Sequence, residues 1–189
     1  MADTKVSALT ALATALVADY LPIVEATGPT TKKITVANLL GARYAGLSVT
    51  GAGAAQAHTA SPLQLNCFTA AMDATSASMT AGFGAGAGDD KITIAEKGVY
   101  IVAFSLSFVG TASTNFHFAL YQDTTVHPDV QADIATDASA DEACASAFGI
   151  VLVDSVPSVL DLRANGGAPA KTMTIHHGQF VAFRVGLTV

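Results

Sequence analysis

Asp89–Phe108, DDKITIAEKGVYIVAFSLSF, decides the fold class. It reads as two adjoining strands joined by a turn at Glu96-Lys97-Gly98. In the second strand Tyr100, Val102, Phe104, Leu106 and Phe108 fall on one face, with Ser105 and Ser107 on the other. A period of two with bulky groups on one side is the pattern of a strand in an antiparallel sheet with one face buried. Downstream, short alternating segments recur between turn signals: Phe116, Phe118 and Leu120, then Phe148, Ile150 and Leu152, then Leu160 and Leu162, then Met173 and Ile175, and finally Phe180–Val185. Asn165-Gly166-Gly167 separates two of them as a turn. Strands at such spacing predict a mainly β, antiparallel sandwich or jelly roll.

Composition narrows the class of function. The chain has 189 residues, about half apolar, enough for one buried domain and an appendage. Its net charge is -6, and apart from Lys32-Lys33 the basic residues are scattered, which argues against a nucleic-acid partner. No apolar run reaches the roughly 18 residues that span a bilayer, and MADTKVSAL lacks the pattern of a signal peptide. The product is expected to stay in the compartment where it is made. Cys67 and Cys144 form neither a disulfide framework nor a zinc motif, and free thiols are expected.

The amino-terminal forty residues differ from the rest. Val6, Leu9, Leu12, Leu16, Val17, Tyr20 and Leu21 approach helical spacing, but Pro22 stops a continuation. Leu21–Val24, a turn at 26–29 and Lys32–Val36 read equally well as a small hairpin, and period alone does not choose. Residues 41–61, rich in Gly, Ala and Thr, read as a linker, which places a boundary near residue 60 and a module over 62–189. Leu63, Leu65 and Cys67 then restart an alternation, and Thr80–Gly88 reads as a loop. The region from about Leu63 onward is expected to fold without what precedes it.

Two resemblances follow from these segments. The short strand, Gly-x-Tyr turn and long strand ending in Ser-x-Ser-Phe, followed by GIVLVDSVPSVLDLRANGG and the terminal FVAFRVG, resemble the C1q/TNF-like jelly-roll modules of bacteriophage virions. The order of Lys5, Ser7 and Leu9, then Leu21-Pro22-Ile23-Val24, then Thr31-Lys32-Lys33-Ile34-Thr35 with Asn38 and Leu39, is similar to a leader segment of phage virion proteins. The resemblances imply a homotrimer with a jelly-roll head, held to other virion proteins of capsid, neck or tail by residues 1–40. In that leader Leu9, Leu21, Ile23, Lys32, Lys33 and Ile34 are the candidate anchoring residues. Such a product, made in the host cytoplasm and located on the virion, would be a short fibre, spike or capsid decoration. The alternative it implies is a tail-associated receptor-binding module contacting the host surface.

The residues themselves offer little chemistry. His176-His177 reads as a surface turn before Gly178, and neighbours on an extended chain point apart, which disfavours a shared metal. His117 and His127 have no sequence neighbours that suggest a triad. Asp129, Asp133, Asp137, Asp141 and Glu142 lack the spacing of a calcium loop and read as a solvated acidic loop. GAGAGDD lacks the ending of a phosphate-binding loop. No enzyme activity, metal, nucleotide or other cofactor is expected. Strand 180–185 is apolar on both faces, Phe180 on one and Val181, Phe183 and Val185 on the other, and the strand of Phe116 and Tyr121 reads similarly. Phe116, Tyr121, Phe180 and Phe183 are therefore the candidate trimer-interface residues.

Overall fold

The computed structural model describes residues 20–24, 31–35, 43–72, 78–84, 88–139 and 141–186. The chain divides into two units, Met1–Ala42 and Arg43–Val189. In the first, β1 (Tyr20–Val24) and β2 (Thr31–Thr35) form an antiparallel hairpin in which Leu21 pairs with Ile34 and Ile23 with Lys32. This resolves the choice left open by the period, for these residues, in favour of the hairpin. Leu9 and the rest of the helical pattern up to residue 19 lie outside the described residues.

The second unit is a sandwich of two sheets. Its strands are β3 (Tyr44–Thr50), β4 (Gln56–His58), β5 (Leu63–Gln64), β6 (Ala70–Met72), β7 (Met79–Gly82), β8 (Lys91–Ile94), β9 (Gly98–Gly110), β10 (Asn115–Gln122), β11 (Thr125–Ala135), β12 (Glu142–Val153), β13 (Ser158–Asn165) and β14 (Lys171–Gly186). One sheet runs β12-β9-β14-β3-β6, with β4 beside β14; the other runs β11-β10-β13-β8-β7, with β5 beside β13. All of the strand pairs are antiparallel. Consecutive strands from β8 to β14 alternate between the sheets or make hairpins, which is the jelly-roll path.

The 89–108 stretch forms as its pattern requires. Tyr100, Val102, Phe104, Leu106 and Phe108 are all buried, and Ile101 and Ser105 alternate with them in solvent. The Tyr100 hydroxyl donates to the Glu96 carbonyl at 2.7 Å and fastens the turn between β8 and β9. Across the sandwich Phe108 meets Phe118 at 5.1 Å between ring centroids and Phe116 edge-on at 5.6 Å. Each such pair adds about 0.5–1.5 kcal/mol beyond simple burial. The β10–β11 hairpin turns through Asp123 and Thr124, both with positive φ (49° and 75°) and neither a glycine. The Asp123 carboxylate holds this geometry by accepting from the Val159 amide at 2.7 Å and the Ser158 hydroxyl at 2.8 Å.

Four expectations change. Residues 43–61 are not a linker: β3 and β4 pair with β14, and Ala45, Leu47 and Val49 are in the core. The small residues there permit close packing, since a Cβ on Gly46 would come within 2.9 Å of both the Met72 sulfur and a Val181 methyl. The Thr80–Gly88 tract begins as strand β7. The acidic stretch is largely strand, with Asp129 and Asp133 inside β11 and Glu142 opening β12. His176-His177 is not a turn. It lies within the 16-residue β14, where the register with β9 shifts between Ile175 and His177. An extra residue in a bulge breaks the alternation, so the sequence around Gly178 looked like two strands. Gly178 is needed at that point because a Cβ would meet the Leu106 side chain at 2.5 Å.

Candidate interaction surface

Paired residues in an antiparallel sheet project to the same face. The register of the β9 sheet can therefore be read as rows on its outer side. Ile150 pairs with Ile101, Ile101 with Phe183, and Phe183 with Tyr44. Their neighbours Phe148, Ala103, Val181 and Gly46 form a second row, and Leu152 with Val99 starts a third. The Tyr44 and Phe183 rings lie 5.8 Å apart. Four strands thus present one continuous apolar face, on which Phe148 is 78 %, Ile150 64 %, Val185 56 % and Leu152 54 % exposed. Scattered exposed apolar residues are ordinary, but a contiguous sheet face of them marks an interaction site.

The outer side of the other sheet supplies the contrast. There the Arg163 guanidinium stacks over the Tyr121 ring at 4.2 Å and is held by Asp161 at 2.7 and 3.1 Å. That hydrogen-bonded pairing raises the already high pKa of Arg163. His117 contacts Asp133 at 2.8 Å nearby. Such a face is comfortable in water.

Toward its far end the apolar face gives way to short polar side chains. Ser146, Ser105, Gln179 and Ser48 form one row, and Cys144, Ser107, His177 and Thr50 the next. All of these except Ser146 line a shallow, open cavity of about 400 Å³. The bulge places His176 here as well, 3.7 Å from Glu142. Among the described residues no group of three or more His, Cys, Asp or Glu side chains is placed to hold a metal ion.

Of the candidate interface residues, only Phe183 lies on the apolar face. Phe116 and Phe180 are fully buried inside the sandwich, against Phe108 and Phe68 respectively, and have no area left for a partner. Tyr121 sits on the opposite outer surface. The apolar face instead rests on Phe148, Ile150 and Leu152, whose segment FGIVLV is apolar on both sides. Its two-faced character was a visible signal, but which side points outward depends on packing. Leu21, Ile23, Lys32, Lys33 and Ile34 lie together on the β1–β2 hairpin.

Several buried polar groups are structural. Asp90 accepts from the amides of Cys67 at 2.6 Å, Phe68 at 2.9 Å and Gly84 at 3.3 Å, tying three loop segments together. Burial nevertheless outweighs these bonds and raises its pKa. Both cysteines are free, Cys67 buried and Cys144 exposed. Burial, with Asp90 nearby, pushes the Cys67 thiol up to about 12. His58 is fully buried, with Nδ1 3.1 Å from the Ala164 carbonyl and Nε2 without a partner among the described residues. Its pKa is lowered because burial disfavours the charged ring.

No family model matches the sequence, and comparison with curated proteins finds no match. Solved structures do match. A TNF protein, Eiger, from S. frugiperda superimposes with a TM-score of 0.56 at 9 % identity, over 78 % of this chain and 96 % of that one. The globular domain of zebrafish complement 1qA gives 0.53 at 11 %, over 78 % and 99 %. Murine APRIL gives 0.51 at 7 %, over 75 % and 99 %. At such identities the likeness concerns the fold, and the sandwich of residues 43–186 is accordingly a C1q/TNF-like jelly roll.

Proposed function

We propose that this chain is a non-enzymatic structural protein of a bacteriophage virion. It assembles as a homotrimer whose jelly-roll heads are displayed as a short fibre, spike or capsid decoration. The observation that carries the trimer is the unbroken apolar face across β12, β9, β14 and β3. Burying one such side chain gains about 1.5–3 kcal/mol, and the other sheet, which is polar outside, remains in solvent. The jelly-roll likeness supports the same assembly. The virion role rests on the order of motifs in residues 1–40, whose hairpin is a compact attachment element for another virion protein.

Light scattering on the intact chain tests the assembly, with a trimeric mass expected at micromolar concentration. Attachment is tested with particles lacking the native protein. The full chain is expected to bind them, and a chain starting at Arg43 is expected to stay trimeric without binding. A monomeric mass refutes the first half of the proposal, and full occupancy by the shortened chain refutes the second.

A further inference from the structure

The bulge in β14 decides where one imidazole points. Met173 and Ile175 are buried on the core side, and simple alternation would put His177 beside them. The extra residue shifts the phase, so that Phe180 and Ala182 continue the buried face while His177 turns outward, exposed and in register with Ser107 and Thr50. Bulges are frequent beside functional sites, where they re-aim a side chain. The other members of its row, Cys144, Ser107 and Thr50, are short, as are Ser105 and Ser48 in the next. Around the ring they leave the open cavity of about 400 Å³.

His177 also stands near the middle of the face. β9 and β14 are the inner pair of the four strands β12, β9, β14 and β3. At about 4.8 Å per strand this face is roughly 19 Å wide. Three such faces closed around a threefold axis parallel to the strands form a triangular prism. Its axis lies about 5.5 Å from the centre of each face and about 6 Å from β14, close to half the roughly 10 Å spacing of packed sheets. An imidazole and a zinc–nitrogen bond of about 2 Å together span that gap. Three His177 rings, one from each copy, thus converge on the axis at one level. His176 lies 3.7 Å from Glu142, on the β12 side.

Resting on the trimeric reading above, we propose that the three His177 side chains of a trimer bind one divalent transition-metal ion of the zinc class on the threefold axis. Three imidazole nitrogens leave a fourth position for water, a known arrangement of tetrahedral zinc. Each chain supplies a single ligand, so the site exists only in the closed trimer. The three Gln179 side chains, about 7 Å along the strands toward the apolar rows, close the axis on that side. With a net charge of -6 per chain, the assembly accommodates the added cation. A metal held only by the trimer stabilises it by mass action.

The test is titration of the chelator-treated full chain with Co²⁺, followed by visible absorption, with light scattering on the same samples. The parent is expected to be a trimer that takes up one Co²⁺ per three chains, with the absorption of a tetrahedral site and no thiolate charge-transfer band. Excess Zn²⁺ should displace the cobalt and raise the melting temperature. His177→Gln should remain trimeric, since the ring is exposed in the single chain, and should bind Co²⁺ at least about a hundredfold more weakly. His176→Gln and Cys144→Ser should bind as the parent does. A trimer that takes up no Co²⁺, one that takes up one ion per chain, or one whose binding survives His177→Gln overturns the site and leaves the trimeric reading standing. A parent that is monomeric overturns that reading, and the site with it.

Discussion

Ile150→Asp is the sharpest perturbation of the apolar face. Ile150 is 64 % exposed in the single chain, so its own fold gains little from it, while its row continues through Ile101 and Phe183 to Tyr44. Full burial of such a side chain stabilises by about 1.5–3 kcal/mol, and the exposed share corresponds to about 1–2 kcal/mol per copy. A trimer loses this three times, about 3–6 kcal/mol. At 1.4 kcal/mol per factor of ten, that weakens association by roughly 10²- to 10⁴-fold. Confining an aspartate there adds the cost of desolvating an unpaired charge. Sedimentation or light scattering should therefore show a monomer at concentrations where the parent is a trimer, with the β-rich circular dichroism retained. Exposed positions usually shift folding stability by less than about 0.5 kcal/mol. A variant that remains trimeric would refute the argument, because the face would then not be buried. One that unfolds at the monomer level would show that Ile150 belongs to the core.

Four other expectations follow from particular residues. Phe116→Ala should cost about 3–5 kcal/mol of folding stability by opening a cavity against Phe108, measured by urea denaturation; a loss below 1 kcal/mol would contradict its place in the core. A chain beginning at Arg43 should give a cooperative thermal melt. One beginning at Ala60 should not, because it lacks β3 and β4, and equal melts would mean β3 is dispensable. Thiol labelling of the folded chain at pH 8 should modify Cys144 and spare Cys67, whose thiol is buried and titrates near 12, with both reacting in guanidinium. Comparable rates in the folded chain would show Cys67 to be accessible. His58 has a folded pKa below 6.5, so its stabilising effect is complete above about pH 6.5 and is lost as pH falls through that value and the folded pKa. The raised pKa of Asp90 acts in the opposite direction at lower pH, so the readout is the difference in melting temperature between the parent and His58→Gln. That difference should shrink on acidification from pH 7.5 to 5, and a constant difference would refute the assignment.

The sequence by itself determined the class of fold and much of the core. The alternation in β9 required one buried face, and Tyr100, Val102, Phe104, Leu106 and Phe108 lie there, because a period of two admits only that solution in a sheet. It did not determine which side of a two-faced strand meets the core. In β12, Val151 and Val153 turn inward while the larger Phe148, Ile150 and Leu152 turn out, and in β14 Phe180 is inside with Phe183 outside. Side-chain size could not predict this, since the choice follows from register with β9 and from the space the opposite sheet leaves. Residues 43–61 were illegible for a related reason: glycine and alanine signal a linker in isolation, yet between Met72 and Val181 only a residue as small as Gly46 fits. The bulge at His176 likewise arises from pairing with β9, and only the tertiary structure puts both histidines on one face. Local patterns record what a strand can bury; what it does bury is decided by the neighbours that tertiary pairing supplies.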